Sequence, residues 1–187
     1  FKELLFDSNI CNWSENTSTF DKYIFGKENL IFMIEDTDNN VFGGFINSKI
    51  KSYCYQDENN VRKGRNISDS KSFIFSLKSN GRSEKPVKFN IKLNKQNQAF
   101  GLYNNNDKNL FSLGGDVIIK KASKKNKCIC NGEGYKYGKK EDILTGKTRE
   151  ENPFTVKRIQ VIQMYETEEQ KRIREEKERI KIEIERQ

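Results

Sequence analysis

The sequence predicts a mainly β (α+β) fold: a two-sheet antiparallel β-sandwich with a few short flanking helices and a charged C-terminal helix. Three observations predict it. Short apolar runs, several of them alternating with period two, recur through residues 1–166 and are divided by Asn-, Asp- and Gly-rich loops. Those loops are too short for parallel crossovers, so antiparallel connections are expected. Residues 167–187 then change to strong helix formers with dense charge. The chain thus divides into a domain over 1–166 and a charged helix over 167–187.

Leu4, Leu5 and Phe6 begin the domain. Ser14 to Phe25 offers a helix: Thr17 or Ser18 can cap it, Phe20, Tyr23 and Ile24 share a face, and Gly26 stops it. Leu30 to Glu35 and Val41 to Ile46 flank Asp36-Thr37-Asp38-Asn39-Asn40, residues that tolerate left-handed backbone, and this reads as a hairpin. Ser72 to Leu77 places Phe73, Phe75 and Leu77 on one face. Val87 to Leu93 does the same with Val87, Phe89, Ile91 and Leu93. Phe100 to Tyr103, Leu110 to Leu113 and Asp116 to Ile119 are shorter strands, broken by Asn104 to Asn106 and by Gly114-Gly115. Ile159 to Tyr165 closes the domain. In the terminal segment Glu168 with Arg172 and Glu175 with Arg179 are i, i+4 pairs in the favourable order. Ile173, Ile180 and Ile184 make only a thin apolar stripe, interrupted by Lys177 and well short of a coiled coil, so a solvated helix is the plainer reading and a partner-binding helix its rival.

The composition narrows the chemistry. Hydrophobic residues make up 34% of the 187 residues. Counted with Gly in place of Tyr, the share is roughly 37% against a typical ~45–50%, which predicts a lean core. There is no His. That excludes Ser-His-Asp and Cys-His catalysis and any His-bearing zinc site, leaving Cys, Lys, Tyr, Asp or Glu for whatever chemistry exists. No run approaches the ~18 consecutive apolar residues of a membrane span. The chain opens on Phe1, which reads as a fragment of a longer protein.

The net charge of +8 is unevenly spread. Residues 117–149 hold ten basic and three acidic groups, against sixteen and fourteen over residues 1–116. Lys120, Lys121, Lys124, Lys125, Lys127, Lys136, Lys139 and Lys140 crowd there, with Tyr135 and Tyr137 among them. This cluster is a candidate patch for an anionic partner: an acidic protein, an acidic lipid surface or nucleic acid. A loop that keeps a sheet protein soluble is the plainer reading. The preponderance of Lys over Arg weighs against specific base reading.

Several motif matches dissolve on inspection. The Asp36 to Asn40 run imitates a calcium loop, but its sixth position is Val41 and its twelfth Asn47. Gly146-Lys147-Thr148 imitates a phosphate loop, but the required earlier Gly is Glu141. Cys128 and Cys130 are too close for the usual metal knuckle, so no metal and no cofactor is expected. Separate reduced thiols suit an intracellular, cytoplasmic protein. In a Lys-rich loop, Cys128 and Cys130 are also candidate redox thiols with lowered pKa.

The stretch from Leu30 to Ile46, preceded by Ser18-Thr19-Phe20, resembles the TLDc domain family. Ser70 to Leu77 is similar to its Glu-Ser-Phe-Leu-Phe-Ser-Leu strand, with Lys71 in place of the acid. Phe111-Ser112-Leu113-Gly114-Gly115 resembles its glycine-rich strand start, and Phe154 to Glu166 its closing strand. The matching positions Phe42, Gly43, Gly44, Phe45, Ser72, Phe73, Phe75, Ser76, Gly114, Gly115 and Glu166 read as structural. The glycines permit bulges or close backbone approach, and the phenylalanines supply the large surfaces a lean core needs. The resemblance implies a β-sandwich, a role in resistance to oxidative stress and association with subunits of the vacuolar proton-pumping ATPase. It implies no agreed catalytic constellation. The Lys-rich segment and the terminal helix both depart from the family pattern. The expectation is a non-enzymatic interaction module. A nucleic-acid-binding or transcription-regulating protein and a thiol-based peroxide sensor are its rivals.

Overall fold

A computed structural model describes residues 1–51, 55–56, 62–63, 67–104, 106–122, 127–130, 143–146 and 154–185. Among these described residues twelve strands follow in chain order: β1 (Glu3–Asp7), β2 (Leu30–Asp36), β3 (Val41–Ile46), β4 (Tyr55–Gln56), β5 (Arg62–Lys63), β6 (Phe73–Lys78), β7 (Val87–Asn90), β8 (Phe100–Leu102), β9 (Asn109–Leu113), β10 (Val117–Lys120), β11 (Ile129–Cys130) and β12 (Val156–Gln163). Helix α1 spans Phe20–Ile24, α2 spans Glu168–Glu185, and a 3₁₀ helix covers Leu93–Gln98. A six-stranded sheet runs β1-β12-β2-β3-β6-β7, a four-stranded sheet runs β11-β10-β9-β8, and β4 pairs with β5. Every pairing between these strands is antiparallel, so the predicted two-sheet fold and its terminal helix are what the chain forms.

The first hairpin folds as its turn chemistry requires. Leu30 pairs with Ile46 and Glu35 with Val41. Asn39 takes φ 62°, and Asp36 Oδ1 accepts from the backbone N–H groups of Asp38 and Asn40, both at 2.9 Å. Asn40 Nδ2 donates to Asp36 Oδ2 at 2.7 Å, so this carboxylate is spent on holding the turn. Between β9 and β10 the Gly114-Gly115 bend has φ 62° and 76°, a conformation that glycine adopts without steric penalty.

The two sheets meet through aromatic rings. Phe6 lies edge-on to Phe20 (4.8 Å between centroids), Phe20 stacks on Phe111 (5.4 Å), and Phe32 touches both Phe100 (4.8 Å) and Phe111 (5.1 Å). β1, α1, β2, β8 and β9 are thereby joined by large side chains, which offsets the shortage of aliphatic residues. Gly44 faces the second sheet closely: a Cβ there would stand 3.0 Å from both methyls of Leu113.

Several sequence expectations need correction. Helix α1 begins at Phe20, because Asn16 takes φ 67° and Ser14 bridges Ala122, both incompatible with a helix from Ser14; Ser18 Oγ accepts from Phe20 N–H at 3.2 Å. The strand from Val87 ends at Asn90. Ile91 is still buried, but Leu93 opens the 3₁₀ helix and is 86% exposed. The closing strand starts at Val156, three residues early. Its polar positions are held by pairs across the sheet, Lys157 to Glu35 (2.6 Å) and Arg158 to Asp7. In β6 the residues facing the second sheet are Ile74 and Ser76, paired with Gly44 and Phe42. Phe73 and Phe75 do share a face, but it is the opposite one.

Candidate interaction surface

That opposite face is the most distinctive surface of the molecule. Strand register puts Ile31 beside Phe45 and Phe45 beside Phe73, with Met33 beside Gly43 and Gly43 beside Phe75. All lie on the side of the six-stranded sheet turned away from the four-stranded one. Phe45 stacks on Phe73 at 5.2 Å, and Phe75 lies over Gly43, where a Cβ would come within 3.1 Å of its Cζ. Ile31, Met33, Phe45 and Phe73 remain only half-buried, and Leu77 is 45% exposed. Two shallow grooves result, of about 340 and 430 Å³, which share Ile31 and Phe73 as common walls. The first continues to Leu77 and Val87, the second to Met164, Tyr165 and the start of α2. A connected apolar surface of this kind is a mark of macromolecular contact.

The charges around this face fall into two halves. Toward β1 and β12 they neutralise one another. Arg158 donates to both oxygens of Asp7, whose burial would otherwise favour protonation, and the Arg158 hydrogen bond holds the Asp7 carboxyl below its ordinary 3.8. Lys157 pairs with Glu35. Toward β6 and β7 stand Lys71, Lys78, Lys85 and Lys88, all exposed, and none has a carboxylate partner among the described residues. Lys88 Nζ lies 4.0 Å from the centre of the Phe73 ring, which brings one positive charge to the groove wall.

Helix α2 is tethered at its first turn. Gln170 N–H bonds to Thr167 Oγ1 (3.2 Å) while Thr167 N–H bonds to Gln170 Oε1 (2.7 Å), a reciprocal cap. Gln170 Nε2 also reaches Asn29 Oδ1 (2.7 Å) and Asn47 Oδ1, fixing the helix to the ends of β2 and β3. Glu166 accepts from Arg174 Nε at 3.1 Å. Beyond this the helix is exposed, with Ile180 and Ile182 each 48% accessible. The Thr-x-x-Gln signal stood in the sequence and was the one cue for this cap that the charge pattern concealed.

The residues singled out from sequence fall in several places. Phe42 is fully buried, edge-on to Phe154 at 5.4 Å. Ser72 Oγ donates to Asp69 O (3.1 Å) and Ser76 Oγ to Ile143 O (3.4 Å), both as structural links. Of the lysine cluster, Lys124, Lys125, Lys136, Lys139 and Lys140 lie outside the described residues. Lys127 is exposed and donates to Thr155 Oγ1 (2.8 Å); Lys120 is half-buried. Lys121 departs from the expected patch: it is 1% exposed, and its Nζ donates to Asn104 O at 2.8 Å. Burial pushes its pKa down, countered by Asp107, Asp21 and Glu15. The reason is strand parity, since Val117, Ile119 and Lys121 fall on one buried face.

The two candidate redox thiols lie in the interior. Both Cys128 and Cys130 are buried. Desolvation pushes the Cys128 thiol up to about 11, against which the N–H of Lys120, donating to Sγ at 3.3 Å, and the nearby lysine charges act only weakly. A thiol with so little thiolate at neutral pH is a poor nucleophile for peroxide. Among the described residues no group of His, Cys, Asp or Glu could hold a metal ion, and no helix is long and apolar enough to cross a membrane.

The family model described as TLDc domain matches residues 3–164, which takes in both sheets and stops before α2. No curated protein matches the chain.

Proposed function

We propose a function from one premise: the chain belongs to the TLDc domain family, which is linked to resistance to oxidative stress. It is a non-catalytic protein-interaction module acting in oxidative-stress protection, with the vacuolar proton-pumping ATPase as its partner. The observation that supports this reading is the connected apolar face made by Ile31, Phe45 and Phe73, half-buried beside the buried Phe75 on a sheet whose other face is already sealed. A surface of that kind is retained where a macromolecule covers it. The side chains of the family motif support the same view, since Phe42, Ser72, Ser76 and Gly44 are used in packing and backbone hydrogen bonds.

Affinity capture from cell lysate tests the partner. The whole chain and residues 1–166 should each retain subunits of the pump, and Phe73→Ala should retain fewer. Recovery of no pump subunit by either form would sink the partner assignment. Survival of peroxide-treated cells expressing the chain or its Phe73→Ala variant tests the role. Equal protection by both would separate the oxidative role from this face.

A further inference from the structure

We infer that the outer face of the six-stranded sheet takes an acidic amphipathic segment of a partner protein, with apolar side chains in the two grooves and carboxylates against Lys71, Lys78, Lys85 and Lys88. The inference rests on the interaction-module reading in taking the partner to be a protein, and it adds the chemistry that the partner must carry.

Charge complementarity carries it. Residues 67–98 hold seven Lys or Arg against two acids, Asp69 and Glu84. Asp69 does not neutralise the row. It is buried, and its carboxylate accepts the backbone N–H groups of Asn47, Ser48 and Lys71. On the opposite half of the same face, Lys157 and Arg158 each have a carboxylate. On this face, lysines without a carboxylate partner among the described residues therefore line the edge beside the grooves, with Glu169 of α2 in the far wall of the second groove. A partner whose carboxylates meet that edge gains attraction and on-rate, and one that brings ammonium groups there is repelled.

The shape selects a protein over a membrane. Bilayer insertion needs apolar side chains that stand out from the surface. Here Ile31, Met33, Phe45 and Phe73 form the floor and walls of grooves and are half-buried, while Leu77 and Tyr165, one at each groove, are the exposed large side chains of the lining. Grooves of this size accept side chains spaced along one face of an amphipathic helix. Nucleic acid would satisfy the lysines but leave the apolar grooves wet. The face of Phe73 is moreover already shared by Phe45 and Lys88, which leaves little ring for a base. Lysines suit the assignment, because flexible point charges match scattered carboxylates without a fixed fork.

The experiment is fluorescence anisotropy of the full chain with a labelled synthetic helical peptide bearing Leu at i, i+3, i+4 and i+7 and Glu on the flanks. An analogue with Lys for every Glu, and phosphatidylcholine vesicles containing phosphatidylserine, are the comparison arms. The acidic peptide should bind at least about tenfold more tightly than its basic analogue and weaken with salt. The variant K71E/K78E/K85E/K88E should reverse that order, and Leu77→Asp, at an exposed position, should weaken the acidic peptide without moving the urea midpoint. Equal binding of both peptides, no binding of either, or an order unchanged in the four-lysine variant would each overturn the assignment. So would binding of the vesicles alone. Capture of a cellular partner that persists undiminished in both variants would keep the interaction-module reading and discard this face. Loss of all capture by the wild type would discard the module reading itself.

Discussion

The two faces of the six-stranded sheet carry the same kinds of side chain and meet different fates. On the inner face Phe32, Ile34, Phe42 and Ile74 are sealed, because the four-stranded sheet and its phenylalanines cover them. On the outer face Ile31, Met33, Phe45 and Phe73 stay half-buried, with neighbours such as Phe75 and Lys88 but no second sheet over them. Residue type does not distinguish the faces; the presence of a second layer does. An apolar face left without a layer is where a partner adds most, since its burial still has free energy to contribute at about 25 cal/mol per Å² of apolar area removed from water.

The largest effect expected from this contrast is on stability. Phe32→Ala removes a ring held by Phe100 and Phe111 and should cost about 3–5 kcal/mol, a large part of a typical total of about 5–15 kcal/mol. Phe73→Ala removes a ring of the same size from the outer face and should cost less than about 1.5 kcal/mol, the scale of its aromatic pairing with Phe45. Urea denaturation of the two variants measures both. Equal losses would mean that the outer face is as much a core as the inner one, and the contrast would fail.

The adjacent glycines sharpen the same contrast within one strand. At Gly43 a Cβ would come within 1.8 Å of the Phe32 carbonyl oxygen, so the backbone must move. At Gly44 the closest atoms are the methyl ends of Leu113 at 3.0 Å, which can give way, and the nearest backbone atom, the Phe73 carbonyl oxygen, is farther off at 3.3 Å. Gly43→Ala should therefore destabilise by about 1–3 kcal/mol or more, and Gly44→Ala by distinctly less. Thermal melts of the pair decide it, and the reverse order would show that the inter-sheet spacing is tighter than the strand pairing.

What could be read from sequence follows the same division. The hairpin at Asp36 to Asn40 was legible because its geometry is local: a carboxylate and an asparagine at φ 62° close the turn whatever surrounds them. Gly114-Gly115 was legible for the same reason. The inner face of β6 was not, because Phe73, Phe75 and Leu77 alternate with Ile74 and Ser76, and period two marks two faces without saying which one meets the second sheet. Lys121 was misassigned because a run of lysines reads as surface, although its parity with Val117 and Ile119 pointed inward. The unneutralised row beside the grooves was hidden by counting charge over residues 1–116. Residues 1–66, with ten acids against eight basic groups, offset part of the excess of residues 67–98 in that count.

Cys128 tests the sealed layer chemically. Its folded pKa, about 11, lies above the ordinary 9.0, so the stability it contributes is full below pH 9 and is lost as pH rises through 11. The loss should be on the order of 2 kcal/mol for a shift of that size, and Cys128→Ala should flatten it. Urea midpoints measured from pH 8 to pH 11 in both proteins check the difference. A wild type as flat as the variant would mean that water reaches Cys128 and that the interior is less sealed than the packing implies. Native-state alkylation offers the same contrast at neutral pH, with the partly accessible Cys11 modified well before Cys128.

The smallest effect belongs at the border of the outer face, where α2 leaves the domain. Thr167→Ala removes one half of the reciprocal cap and should destabilise the helix start by about 1 kcal/mol. The helix adds no residue to the buried core, so that loss should remain local. Amide hydrogen exchange should quicken over the first turn of α2, with the urea midpoint of the sandwich unchanged. Gln170→Ala should act more strongly at the same place, because it also releases the contacts to Asn29 and Asn47. If either substitution lowered the midpoint of the whole protein, α2 would belong energetically to the outer face, acting as a partial second layer at its edge. The contrast between the faces would then be one of degree, and a partner would cover correspondingly less of the groove beside Tyr165.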